Sequence, residues 1–360
     1  MTDVTPQFRP VLETIPPYVP GKALVAGPGR SEPHKLSSNE SPHGPLPSVA
    51  QVIAEAGRNV NRYPDNGAGA LIGAIAKRFG VPDGHVAVGP GSVGVLKQVI
   101  EATVSPGDEV IYAWRSFEAY PGLCDLASAK SVRIPLTEET HDLDAMADAI
   151  TDRTRLILVC NPNNPTGTAL LESDITLFLD RVPKDCLVIL DEAYREYVRD
   201  EIVPDGLDLY KEFRNVAVLR TFSKAYGLAG LRVGFLIGQA PVAAAVRKTM
   251  LTFGVSSVAQ AAAAASLAAE EELLSRVDGI VEERGRVRDT LTADGWTVPP
   301  TEANFVWLRL GQRTKAFTEA CEAEGISIRP YGDEGVRVSI GTPEANDAFL
   351  AAAHEFPHRA

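Results

Sequence analysis

Three polar clusters each follow an apolar run, and together they could carry out carbonyl–amine chemistry. NPNNPTG (161–167) comes after RLILVC, DEAY (191–194) after CLVIL, and TFSKAYGLAGLR (221–232) after VAVLR. A lysine made nucleophilic by a desolvated site forms an imine with an aldehyde, the role open to Lys224. An anion at Asp191 would keep a pyridine nitrogen protonated, the condition under which pyridoxal is an electron sink. Asn164 and Tyr194 could donate to a phenolate oxygen on such a ring. Thr221, Ser223 and Arg232 offer two hydroxyls and a guanidinium, which suit a phosphate. Each residue alone has an ordinary reading: a solvated lysine, an Asp that caps a helix, a turn at Asn-Pro. Only the ordered set points to chemistry.

Ligands of an α/β sheet lie outside the carboxyl ends of its strands, so these clusters need a sheet that gathers three strand ends. The pattern supplies one. Strands are expected at VAVG (86–89), EVIYAW (109–114), SVRIPL (131–136), RLILVC (155–160), CLVILD (186–191), VAVLRT (216–221) and RVGFLIG (232–238). Their continuous apolar runs suit strands buried on both faces. Helices between them, at 92–104, 118–127 and DLDAMADAI, predict a mostly parallel α/β sheet. The Pro- and Gly-rich segment 1–44 reads as an N-terminal arm, 45–245 as a large domain, and 246–360 as a smaller α+β domain. The last begins with a helical stretch to about 293. Then follow NFVWLRL, ISIRPY and VRVSIGT, with one helix, RTKAFTEACEAEG, among them.

Gly89-Pro-Gly91-Ser-Val-Gly94 matches G-x-G-x-x-G between a strand and a helix, the dinucleotide fingerprint. That fingerprint needs an acidic residue at the end of the next strand. Here Asp108 and Glu109 stand at its start and Trp114 at its end, so a nicotinamide oxidoreductase is disfavoured. The backbone amides of Ser92 and Val93 at the helix N-terminus suit a phosphate instead.

With 35 Lys and Arg against 47 Asp and Glu the net charge is −12, which disfavours nucleic acid as a partner. The N-terminus lacks an apolar h-region. The longest uncharged run, 249–269, is Ala-rich and reads as packed helix rather than a membrane span. Four scattered cysteines read as free thiols of a cytoplasmic protein, with no metal site.

From about residue 18 to the end, the chain resembles the fold-type I pyridoxal-phosphate aminotransferases. NPNNPTG, DEAY and SKAYGLAGLRVG carry the likeness. The resemblance implies pyridoxal 5'-phosphate as cofactor and Lys224 as Schiff-base lysine and proton shuttle. It implies Asp191 at the pyridine nitrogen and Asn164 and Tyr194 at the ring oxygen. Gly91, Ser92, Val93, Ser223, Arg232 and Thr221 would serve the phosphate, and Phe117 would stack on the ring. Arg337 matches the arginine that grips the substrate carboxylate, with Asn39 assisting it. Arg329 and Tyr18 are candidates for the side-chain end of the pocket. Tyr63 matches a tyrosine that reaches the other subunit's phosphate, implying a homodimer with shared sites. Within the family the chain looks like histidinol-phosphate aminotransferases. YVPGK, NRYPDNG, WRSFEAYP and FGVSS resemble more closely their actinobacterial relatives acting on aromatic amino acids, so phenylalanine, tyrosine or tryptophan is the expected donor and 2-oxoglutarate the acceptor. A transcription regulator of the same fold would need a DNA-binding domain for which the chain has no spare length.

Overall fold

A computed structural model describes residues 6–17, 21–22 and 33–357. In chain order the strands are β1 (His34–Lys35), β2 (Val86–Gly89), β3 (Glu109–Trp114), β4 (Lys130–Pro135), β5 (Thr154–Cys160) and β6 (Leu187–Asp191). They continue as β7 (Val216–Thr221), β8 (Gly234–Ile237), β9 (Phe305–Arg309), β10 (Ile326–Ser327), β11 (Arg329–Tyr331) and β12 (Gly335–Ser339). Seven of them form one sheet in the order β2-β8-β7-β6-β5-β3-β4. Every pairing is parallel except the two made by β8. All residues of β2, β7 and β8 are buried, as their unbroken apolar runs require when helices cover both faces. The edge strand β4 (KSVRIP) has no buried residue and mixes Lys and Arg among its apolar residues.

A second, antiparallel sheet has the order β11-β12-β9. Its register sets Arg329 directly opposite Arg337, on one face, since side chains alternate along a strand. The segment before Asn39 is stitched to this lobe. β1 pairs with β10, the Leu36 amide donates to the Ser327 carbonyl at 2.7 Å, and the Ser339 amide donates to Leu36 at 2.9 Å. Asn39 then turns through a left-handed conformation (φ 53°), held by its amide donating to Ser339 Oγ at 2.8 Å.

Two features differ from the sequence expectation. The uncharged run 249–269 is not one helix. A helix starts only at Ser257, where the Ser256 hydroxyl accepts from the Ala259 amide, and Phe253 before it is left-handed (φ 56°). Helices at Pro47–Gly57, Gly69–Phe79, Glu172–Arg181, Gly206–Glu212 and Pro343–Glu355 also lie outside the expected set; the last is capped by Thr342. Among the described residues no helix is long and apolar enough to cross a membrane, and all four cysteines are buried and free.

Candidate active site

Strands β5, β6 and β7 lie side by side and parallel, so their carboxyl ends meet at one edge of the large sheet. That edge opens into a cavity of about 220 Å³, lined among others by Asn164, Asp191, Tyr194, Thr221, Ser223 and Lys224. Residues 60 apart in sequence are thereby brought to one wall.

Asp191 ends β6 and is buried. Its Oδ2 accepts from the Tyr120 hydroxyl at 2.8 Å, while Oδ1 is buried with no partner. Burial pushes its carboxyl up to about 6, against the Tyr120 hydrogen bond that favours the anion. An orphaned carboxylate oxygen at a cavity wall is costly unless a donor reaches it. Lys224 lies beyond the end of β7. Its Nζ donates to the Ser38 carbonyl at 3.2 Å and lies 5.9 Å from the centre of the Tyr194 ring. Burial, with the Arg337 guanidinium adding to it, brings its ammonium down to about 7. A large fraction of the amine is therefore neutral near pH 7, the form that attacks a carbonyl.

Next to Lys224 the cavity has an anion cradle. The helix Gly91–Thr103 starts at the cavity, and Ser92 and Val93 of its first turn line it. Gly91 has φ 79°, and a Cβ there would collide with the Arg232 guanidinium. A Cβ on Gly234 would collide with the Ser92 amide. Two glycines thus let Arg232 and the helix N-terminus approach each other. Arg232 itself is left-handed (φ 56°) and donates to Ser223 Oγ at 3.3 Å and to the Ala229 carbonyl at 2.9 Å. The Thr221 hydroxyl accepts from the Ser223 amide at 3.1 Å.

At the third wall stands Arg337, buried at 6 % exposure. It donates to Asn164 Oδ1 at 2.6 Å, the Tyr331 hydroxyl at 3.0 Å and the Ser37 carbonyl at 2.8 Å, and its Nε is buried without a partner. All these partners are neutral. A buried cation without a counter-ion is unfavourable until an anion arrives. Because Arg337 takes the Asn164 oxygen, the amide NH2 of Asn164 is left as its donor toward the cavity. Asn39 Nδ2 donates to the Tyr194 hydroxyl at 3.0 Å, so the N-terminal segment completes the wall.

Of the residues named from sequence, Gly91 leaves the space that Arg232 occupies, while Ser92, Val93, Phe117, Asn164, Asp191, Tyr194, Thr221, Ser223, Lys224, Arg232, Asn39, Arg329 and Arg337 line the cavity. Arg329, expected at the side-chain end of the pocket, stands instead beside the carboxylate-binding candidate Arg337 as its cross-strand neighbour. Tyr63 is outside this cavity, 82 % exposed and stacked on Phe253 at 4.5 Å between ring centres. Tyr18 lies outside the described residues. The sequence reading missed Glu118, Tyr331 and the carbonyls of Ser37 and Ser38 as site groups. Tyr120, which the sequence offers with Phe117 and Tyr18 as an aromatic of the substrate pocket, meets the Phe117 ring edge-on at 5.6 Å and donates to Asp191.

The family model for aminotransferase class I and II matches residues 31–352. The aromatic amino acid aminotransferase of Thermobifida fusca is 63% identical over 354 residues, covering 98% of each chain. The enzyme of the same name from Streptomyces coelicolor is 60% identical and covers 99% of each chain. Among solved structures, a histidinol-phosphate aminotransferase from Sinorhizobium meliloti in complex with pyridoxal-5'-phosphate superposes with a TM-score of 0.88 at 28% identity, covering 99% of this chain and 98% of that one.

Proposed function

The chain belongs to the class I and II aminotransferases, and we propose that it moves the amino group of an aromatic amino acid to 2-oxoglutarate with pyridoxal 5'-phosphate held at Lys224. The observation that carries this reading is the unpartnered buried pair of Asp191 Oδ1 and Arg337 Nε on one cavity. The first calls for a donor of a protonated ring nitrogen and the second for a carboxylate. The relatives at 52–63% identity bear the name of the aromatic activity.

The cavity fits the cofactor. Ser92, Val93, Ser223, Thr221 and Arg232 would hold its phosphate, and the glycines at 91 and 234 make room for that cradle. Asp191 would face the ring nitrogen, Asn164 and Tyr194 the ring oxygen, and Phe117 one ring face. When bound, pyridoxal phosphate supplies an aldehyde for amines and a protonated ring that draws off the electron pair left at the substrate Cα. The chain's own residues do the rest. Lys224 would supply the amine that anchors the cofactor and the base positioned for the substrate Cα proton. Tyr120 holds Asp191 by its other oxygen. Arg337 binds the α-carboxylate by paired hydrogen bonds, with Asn39 beside it. The proposal includes the cytoplasm as location, for which the four buried free thiols speak.

Amino-donor profiling with 2-oxoglutarate tests the substrate. Phenylalanine and tyrosine should show specificity constants about tenfold to a few hundredfold above histidinol phosphate, since ring discrimination in an apolar pocket is worth about 1–3 kcal/mol. Preferred turnover of histidinol phosphate would replace this reading with the biosynthetic one.

We also propose a homodimer with shared sites. Tyr63, Phe253 and Leu251 present exposed apolar area, and Tyr63 does not line its own cavity. In mixed dimers of Tyr63→Ala and Lys224→Ala subunits, one site should carry both lesions and the other neither. Activity near half that of wild type per dimer is expected. Activity no higher than that of the Tyr63→Ala homodimer's single site would show that Tyr63 acts within its own subunit.

A further inference from the structure

Three guanidiniums surround the Tyr331 ring: those of Arg115 and Arg337 at 5.8 Å from its centre, and that of Arg329 at 5.9 Å. Their charges are balanced unequally. Arg115 is paired with Glu334. Arg329 donates to both oxygens of Glu118, at 3.1 and 2.9 Å. Arg337 contacts no carboxylate among the described residues and bonds only to neutral oxygens. Two of three positive charges are thus answered from within the protein, and one is left for the ligand.

Glu118 reaches this position from the loop after β3, between the ring-stacking candidate Phe117 and Tyr120. It lines the same cavity as Arg329 and Arg337. Its side chain is 27% exposed and that of Arg329 10%, so the pair is shielded from bulk water on the arginine side. Charges that close and partly desolvated change the local field more than surface pairs do. Cross-strand neighbours Arg329 and Arg337 would otherwise present a net charge of two at one spot.

We infer that Glu118 is a specificity-determining residue. By neutralising Arg329 it sets the anion end of the substrate pocket at a single positive charge, matched to a monoanionic carboxylate and mismatched to a phosphate dianion. The inference rests on the proposed aminotransferase reading of the cavity and adds a reason to expect a phosphorylated amino alcohol to be the poorer substrate. A dianion entering beside Glu118 meets a fixed negative charge on the arginine that would have bound it. A carboxylate needs only Arg337.

The test uses holoenzyme and reads binding separately from turnover. Dissociation constants for inorganic phosphate and for 3-phenylpropionate are measured through the visible absorbance of the bound cofactor. In Glu118→Gln, which keeps shape and removes charge, the affinity of phosphate relative to 3-phenylpropionate should rise by about tenfold or more, as close charge pairs at binding sites are strongly coupled. Glu118→Asp, which keeps the charge, should stay within about threefold of wild type. The double variant Glu118→Gln, Arg329→Met should return the ratio toward wild type, because the gain runs through Arg329. In turnover, the ratio of specificity constants for histidinol phosphate over phenylalanine should rise in Glu118→Gln in parallel. An unchanged binding ratio in Glu118→Gln, or a gain that survives loss of Arg329, would overturn the role of Glu118. A wild-type holoenzyme that deaminates no aromatic amino acid would instead overturn the proposed function, while the binding ratios still judge Glu118.

Discussion

Lys224→Ala should leave a folded protein with transamination reduced by about 10⁴-fold or more, because one substitution deletes both the nucleophile and a general base worth about 10²–10⁴-fold by itself. The amine is prepared for both tasks by its surroundings. Burial, and then Arg337, brings it down to about 7, so at neutral pH it is a base near its optimum rather than a fixed cation. The sign of this shift has a measurable consequence. A depressed ammonium loses its proton as pH rises through about 7, so covalent capture of the cofactor by apoprotein should accelerate through that range and level off above it. Capture that rises only near the ordinary lysine range would contradict the depressed amine. Borohydride reduction followed by peptide mapping should label Lys224, and Lys224→Ala should take up no label. Attachment at another lysine would remove Lys224 from its assigned place.

Asp191→Asn should also keep the fold and lose about 10³-fold or more in rate, the scale of removing a preorganised charge from a site. The amide is nearly the size of the carboxylate, and its oxygen still accepts from Tyr120, so packing is preserved. What disappears is the anion at the buried Oδ1 position. A neutral amide cannot hold a proton on a pyridine nitrogen, so the carbanion would have no sink. Burial raises the Asp191 carboxyl to about 6; it is therefore anionic above that pH and neutral below it. Binding of the cofactor by apoprotein should accordingly weaken as the pH of the binding measurement falls through about 6. A near-wild-type rate for Asp191→Asn, with melting temperature unchanged, would reduce Asp191 to a local cap.

How far the sequence could be read depended on whether an interaction is local. Asp191 and Lys224 were legible because each lies at or just past the end of an apolar strand, and a parallel sheet places such ends together, whereas Arg232, just before the antiparallel β8, was legible only through the SKAYGLAGLRVG motif. The strand set and its mostly parallel order followed from unbroken apolar runs such as VAVLRT. Partners set by register or long separation were not legible. Glu118 meets Arg329 across 211 residues, and nothing in EAYP or SIRPY marks the pair. Arg329 stands beside Arg337 only because β11 and β12 pair with that register. The carbonyls of Ser37 and Ser38, which receive Arg337 and Lys224, are backbone atoms whose direction no residue type encodes. The late start of the helix at Ser257 was hidden for a different reason. An Ala-rich run announces helix throughout, whereas the Ser256 cap and the left-handed Phe253 decide where it begins.

The most direct test of the account is a single half-reaction: holoenzyme mixed with excess L-phenylalanine in the absence of any 2-oxo acid. The account predicts release of phenylpyruvate approaching one equivalent per Lys224, loss of the visible absorbance, and recovery of that absorbance on adding 2-oxoglutarate. Absence of phenylpyruvate, or continued formation far beyond one equivalent without an acceptor, would contradict it.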